Sequence, residues 1–77
     1  NYKQLCEGVA AQDREKVFTA AHTIKGLALN LGFGQLAQAA TELTEATRNS
    51  YGSNVPELFE TVKKEQENIL ALIDQLD

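Results

Sequence analysis

The sequence is short of the residues that usually stabilise a very small domain. Its 77 residues include one cysteine, one proline and one histidine, with no methionine and no tryptophan. Cys6 alone cannot form an intramolecular disulfide, and no spacing of cysteine and histidine suits a structural zinc ion. A chain of this length buries only about 60% of its unfolded surface, so we expect a thin core that relies on regular packing or on partners.

The charge and the apolar pattern exclude several classes of protein. There are 7 Lys+Arg against 11 Asp+Glu, which gives a net charge of -4. An acidic chain without a basic cluster is a poor nucleic-acid binder, because binding depends on neutralising phosphates. No apolar run approaches the roughly 18 residues that span a membrane, and the polar residues 1–4 do not begin a signal peptide. The lone cysteine fits a reducing compartment, so we expect a cytoplasmic protein without a membrane partner.

Hydrophobic periodicity of about 3.6 residues runs through almost the whole chain and predicts helices. The four predicted segments cover residues 2–11, 14–31, 33 or 34–48 and 56–76, with one clear loop at residues 49–54. Asp13 is a good N-cap for the second segment, and Gly32 suits its C-terminus. The fourth begins near Pro56 and has apolar residues at bundle spacing. These residues are Leu58 or Phe59, Val62, Ile69, Ile73 and Leu76.

The connection between the second and third segments is so short that they must form an antiparallel hairpin. The fourth segment is long enough to pack along both, which predicts an all-α antiparallel up-down bundle forming a single domain over residues 1–77. The first segment spans only two to three turns and resembles the last part of a longer helix. Since the chain also lacks methionine, we expect it to be a fragment with further sequence before Asn1.

The second segment has a complete apolar face. With Ile24 at its centre, the other apolar residues within about 60° are expected in the core. They are Val17, Ala20, Ala21, Leu27, Ala28 and Leu31. Cys6, on the apolar stripe of the first segment, is expected to be buried as a small hydrophobic residue.

The opposite face of the same segment has an unusual composition. His22 lies about 160° from Ile24, with Gly26 one turn further along, Lys25 on the flank, and Phe18 and Leu29 turned outward. Each has an ordinary explanation: a solvated histidine or lysine, a close helix contact at glycine, and boundary residues covered by a neighbour. A glycine inside a helix nevertheless costs about 0.5–1 kcal/mol relative to alanine, and Gly26 faces away from the predicted core.

Taken together, these residues suggest a nucleophilic imidazole beside a cation, with open space above it. A histidine keeps a large neutral fraction near pH 7, so one ring nitrogen can attack while a hydrogen bond holds the other. A phosphoryl group on His22 would add negative charge that Lys25, three residues on, could balance. Phe18 and Leu29 would form an apolar docking surface rimmed by charge.

The stretch of residues 21–26, Ala-His-Thr-Ile-Lys-Gly, followed by Ala28, Leu31 and Gly32, resembles the signature of histidine-containing phosphotransfer (HPt) domains. The similarity is dense over residues 13–48, where Leu36, Glu42 and Leu43 continue it, and looser over residues 49–77. Leu27 departs from the pattern, since many members have a small residue there.

The resemblance implies a helical bundle that carries phosphoryl groups between receiver-domain aspartates and has no kinase or ATP site of its own. His22 would be the phosphoacceptor, Lys25 would steady the phosphoryl oxygens, and Gly26 would give the partner access. The protein would need no cofactor, because Mg²⁺ would be bound by the receiver partner. The partners implied are response-regulator receiver domains and a hybrid sensor histidine kinase.

Two features of the family have no clear counterpart. Members often have a polar residue on the facing helix that holds the second imidazole nitrogen, and the candidates here are Thr41, Thr44 and Glu45. Members also usually have one or more helices before the region that matches residues 2–10. Either the chain is truncated, or a second copy of it completes the bundle as a homodimer.

Three other functions compete with the phosphorelay hypothesis. A non-phosphorylated adaptor would dock a receiver domain or another protein through Phe18 and Leu29, and a His22→Gln variant would keep its activity. An enzyme is disfavoured, because the chain has no nucleophile motif, no phosphate-binding loop and no second histidine. A purely structural fragment would leave Gly26 and the outward apolar residues unexplained.

Overall fold

The computed structural model describes the backbone of residues 2–76 and the side chains of residues 2–69. Over this range the chain forms four helices and no strand. They are α1 (Tyr2–Ala11), α2 (Arg14–Leu31), α3 (Gly34–Ala46) and α4 (Val55–Leu76). The all-α prediction is therefore confirmed, with helix ends that differ from the predicted ones by at most two residues.

Local signals fix both ends of α2. The Asp13 side chain accepts a hydrogen bond of 3.2 Å from the backbone N–H of Lys16, which satisfies one of the free donors of the first turn. Gly32 has a φ of 81°, the left-handed conformation that a residue without Cβ adopts at no steric cost. Phe33 then donates back to the carbonyl of Ala28 at 2.8 Å, so the chain reverses directly into α3.

The helices pack as a bundle in which α2 contacts α1 and α3, and α4 contacts α3 and, more weakly, α1. In the described part of the chain α4 does not approach α2, so the prediction that it packs along both α2 and α3 is wrong for α2. The core between them is rich in alanine, whose small side chain lets helices approach closely. Its buried apolar residues are Leu5, Val17, Ala20, Ala21, Ile24, Ala28, Leu36, Ala37, Ala39, Ala40, Leu43, Val55 and Val62. The packing of α2 against α3 places the outward face of α2 beside the end of α3.

A glycine sets the distance between α1 and α2. A Cβ added at Gly8 would lie 2.9 Å from Cγ2 of Val17 and 3.1 Å from its backbone nitrogen. The start of α1 contacts α4 instead, since the rings of Tyr2 and Phe59 stack with centroids 6.5 Å apart and planes 15° apart. The short first helix is thus fixed at both ends.

The end of α3 is held by a residue from the start of α2. The helix ends at Ala46 rather than at Arg48 as predicted, and Thr47 turns the chain away. Arg14 donates from Nη1 to the backbone carbonyls of Thr47 at 2.9 Å and Arg48 at 3.0 Å. A cation at these unpaired carbonyls also suits the negative end of the helix dipole.

Two residues that the helical wheel places in the core are exposed. Leu27 is 49% exposed and Leu31 is 67% exposed, so the prediction that both are buried is wrong. The reason is the length of α1: ten residues rise about 15 Å, so α1 runs beside only the first half of α2. Leu27 and Leu31 lie beyond the part that α1 covers.

Other predictions have mixed outcomes. Cys6 is only half-buried, so the prediction that it is a buried residue is not met. On α4, Val62 is buried and Ile69 packs against the core, whereas the predicted contacts of Ile73 and Leu76 lie outside the described side chains. Among the described residues, no helix is long and apolar enough to cross a membrane.

Candidate functional site

The outward face of α2 brings the predicted site residues onto one surface. His22 and Gly26 are exposed, on the side where the helical wheel places them, and Lys25 is half-buried at the flank. Leu29 is 62% exposed and lies two turns after His22, about 20° from it around the helix. Phe18, one turn before His22, is half-buried.

The surroundings of Gly26 distinguish two explanations for a glycine in mid-helix. A Cβ added there would meet no described atom within 4 Å. Close packing among the described residues therefore does not require glycine at this position, although glycine costs about 0.5–1 kcal/mol relative to alanine. What glycine provides is a bare stretch of helix one turn from the imidazole.

His22 lies at the edge of a shallow depression shared by two elements. The rings of His22 and Phe18 have centroids 6.3 Å apart and are tilted by 31°. The guanidinium carbon of Arg48 lies 5.9 Å from the centroid of the Phe18 ring, a cation–π distance. The depression of about 270 Å³ is lined by Phe18, Thr19, His22, Thr23 and Arg48.

The residues proposed to orient the second imidazole nitrogen are engaged elsewhere. Thr41 donates at 2.7 Å to the carbonyl of Ala37, and Thr44 donates at 2.7 Å to that of Ala40. These bonds to the carbonyl four residues back are a common outcome for threonine inside a helix. Within residues 2–69, no group hydrogen-bonds to the imidazole of His22, so none of the three candidates orients the ring there.

The carboxylate of Glu45, the third candidate, is bound by Arg48. Nε of Arg48 donates to Oε2 at 2.6 Å, and Nη2 donates to Oε1 at 3.1 Å, a bidentate pair. The hydrogen bond from Arg48 lowers the pKa of Glu45 below its usual value, and the charges of Arg48 and Lys25 lower it further. Glu45 therefore lies within electrostatic range of both cations that flank His22.

Sequence reasoning missed Arg48, which was placed at the end of the third helix without a role. Two signals could have found it. The hairpin register brings residue 48 of the returning chain opposite residue 18, and Glu45 precedes Arg48 by three residues, the spacing of a helical ion pair. The fixing of this segment by Arg14 could not be inferred from the spacing alone.

The docking residues named from the sequence are placed differently. Leu29 is open to solvent, whereas Phe18 is partly covered by the Arg48 guanidinium and offers only part of its ring. Leu27 adds a second exposed leucine on α2. In the described part of the chain, no three His, Cys, Asp or Glu residues cluster in a way that could hold a metal ion.

Comparison with known proteins identifies the family. No curated protein and no solved structure gives a significant match to this sequence. A protein-family model described as Hpt domain matches residues 1–77, the whole chain. The match agrees with the all-helical bundle, and membership of this family implies phosphotransfer in two-component signalling. The chain belongs to the Hpt domain family.

Proposed function

We propose that this protein is a phosphorelay intermediate in which His22 accepts a phosphoryl group from a receiver-domain aspartate and passes it to another. The observation that carries the proposal is the open space at Gly26 beside an exposed imidazole. Glycine is costly in a helix, and packing among the described residues does not require it here; the close approach of a partner to the ring explains it.

Phosphoryl transfer to and from the carrier needs only a neutral imidazole on His22. A neutral imidazole nitrogen attacks phosphorus with its lone pair, the P–N bond forms, and the P–O bond to the aspartate breaks as the carboxylate leaves with its electrons. The other ring nitrogen keeps its proton. The reverse reaction on a second aspartate regenerates neutral His22, and Mg²⁺ stays with the receiver domain in both directions.

Lys25 and the apolar surface contribute binding. The ammonium of Lys25, three residues after His22, is within reach of the phosphoryl oxygens and balances part of their charge. Leu29, with the accessible part of the Phe18 ring, supplies apolar contact to a receiver domain or to a hybrid sensor kinase that carries one. Such partners place the protein in the cytoplasm.

The test is intact-mass spectrometry after incubation with a small phosphoramidate donor, on the wild-type chain and on His22→Gln. We expect one phosphoryl group per wild-type chain, labile in acid and stable in base, and no adduct on the variant. Circular dichroism of both chains shows that they are equally folded. An unmodified but folded wild-type chain, with a phosphorylated receiver domain also giving no transfer, would contradict the proposal.

The second candidate is a non-phosphorylated adaptor, which the exposed leucines of α2 favour. Leu27, Leu29 and Leu31 are each between 49% and 67% exposed, and such side chains offer contact area to a partner whether or not His22 is modified. The adaptor predicts that His22→Gln keeps both receiver binding and relay output. The phosphorelay predicts that binding survives and output is lost.

A further inference from the structure

Arg48, which is paired with Glu45, lines the same depression as the proposed phosphoacceptor His22. Both side chains are more than half exposed, at 56% and 55%. Exposed pairs of this kind add little stability, because water solvates the separated charges well. The backbone of the segment is already held by Arg14, which contacts the carbonyls of Thr47 and Arg48 rather than the pair.

The Arg48 guanidinium is connected to His22 through the ring of Phe18. It lies over the Phe18 ring, and the Phe18 ring in turn lies against the His22 ring. Arg48 and His22 line the same depression, which opens to solvent. The cation–π contact does not depend on Glu45, so Phe18 can keep the guanidinium near the imidazole if the carboxylate is released.

We propose that Glu45 occupies the anion-binding side of Arg48 in the unphosphorylated protein, and that a phosphoryl group on His22 displaces it. Arg48 is then a second phosphoryl-binding cation beside Lys25, and Glu45 is a competitor that sets how tightly the phosphoryl group is held. This inference rests on the proposed role of His22 as phosphoacceptor.

The displacement of Glu45 by the phosphoryl group follows from the charges of the two anions. A phosphoryl group near neutral pH carries about −1.5 to −2 charges and three acceptor oxygens, whereas Glu45 carries one charge and two oxygens. The planar guanidinium binds either anion in a bidentate manner. Lys25 also lies within electrostatic range of Glu45, so both cations gain a more highly charged anion when His22 is phosphorylated.

The lifetime of phosphohistidine reports this exchange. In the loose transition state of phosphoryl transfer to water, the P–N bond breaks, its electrons stay on the imidazole nitrogen, and the transferred phosphoryl group is metaphosphate-like. Its oxygens then carry less charge than those of the dianion bound to His22. A cation on its oxygens therefore stabilises the phosphorylated protein more than the transition state and slows hydrolysis. Removing Arg48 should shorten the lifetime, and removing its competitor should lengthen it.

The experiment measures the half-life of the phosphoryl group after removal of the phosphoramidate donor, by intact-mass spectrometry. We expect Arg48→Gln to shorten the half-life about threefold to tenfold and Glu45→Gln to lengthen it about twofold to threefold. Arg48→Lys should recover part of the loss, since it restores the charge without the bidentate geometry.

Two controls separate exchange from simple repulsion. Glu42→Gln removes the same charge from an exposed position one turn earlier on α3, and we expect no change in half-life. In the Glu45→Gln/Arg48→Gln double variant the lengthening should disappear, because its effect acts through Arg48. Equal effects of Glu42→Gln and Glu45→Gln would overturn the competition and indicate general electrostatics.

The outcomes also separate this inference from the proposed function. If the wild-type chain takes up no phosphoryl group, the role of His22 fails, and the exchange fails with it. If His22 is phosphorylated but Arg48→Gln and Glu45→Gln have the wild-type half-life, or shift it in the same direction, the exchange alone is overturned. Opposite shifts are not expected from loss of an ion pair that is merely structural.

Discussion

Gly8 and Gly26 are both glycines inside helices, and their surroundings are opposite. Gly8 is buried where α1 crosses α2, and a Cβ there would lie 2.9 Å from Val17. Gly26 is exposed on the outward face of α2, and a Cβ there would meet nothing within 4 Å. Glycine lowers helix propensity at both positions. At Gly8 the contact with Val17 explains why glycine is needed, whereas at Gly26 no described neighbour does.

The difference shows how a requirement of the fold can be told from a requirement of a partner. Replacing a glycine that the fold needs must cost stability, whereas replacing one that only a partner needs must increase it. The two faces of α2 differ in the same way: Val17 and Ile24 pack in the core, whereas His22 is exposed. Substitutions on the core face of α2 should therefore lower stability, whereas substitutions on the outward face should change phosphoryl transfer without lowering stability.

The largest effect on stability is expected for Gly8→Ala. The new methyl group contacts not only a side chain but also the backbone nitrogen of Val17 at 3.1 Å, so a rotamer change cannot relieve it. Overpacking costs about 1–3 kcal/mol and the gain in helix propensity is about 0.5–1 kcal/mol, so we expect a net loss of about 1 kcal/mol from the middle of both ranges and of up to about 2.5 kcal/mol. Urea denaturation followed by circular dichroism measures it, and unchanged stability would contradict the close packing of α1.

Gly26→Ala should have a smaller effect on stability, and of opposite sign. We expect a gain of about 0.5–1 kcal/mol from helix propensity, since the methyl group meets no atom of the part of the chain that the structure describes. Phosphorylation of His22 by the small phosphoramidate donor should be unchanged, whereas transfer from phosphorylated receiver domains should slow. Unchanged transfer from a receiver domain that phosphorylates the wild-type chain would show that Gly26 does not serve partner access.

The sequence predicted the parts of the fold that depend on local signals. Asp13 and Gly32 end α2 as their capping preferences require, and the short connection after Gly32 leaves only a hairpin. The helical wheel wrongly predicted that Leu27 and Leu31 are buried, because their burial depends on how far α1 extends beside α2. Periodicity gives the direction of a side chain but not whether another helix is present to cover it.

Helical spacing predicted that His22 and Gly26 lie on the outward face of α2, and both are exposed there. Their roles stay predictions, and spacing did not predict the contacts that the segment after α3 makes with this face. The role suggested for Thr41 or Thr44 did not allow for the carbonyl four residues back, which is a nearer acceptor than the imidazole. Arg48 reaches the depression because α3 ends at Ala46 and Arg14 fixes the following turn, a long-range contact that no local pattern indicates.

The smallest effects on stability are expected for substitutions at two exposed leucines of α2, which lie on opposite sides of the helix. Leu29 and Leu31 are 62% and 67% exposed, but Leu29 lies about 20° from His22 around the helix and Leu31 about 180° from it. Replacing either by serine should change stability by similar small amounts, about 0.5 kcal/mol or less. Leu29→Ser should weaken binding of a receiver domain about threefold to tenfold, because one leucine side chain is no longer partly buried in the complex. Leu31→Ser should leave this binding unchanged. Calorimetric titration of each variant measures the difference, and equal weakening by both would place the docking surface away from His22.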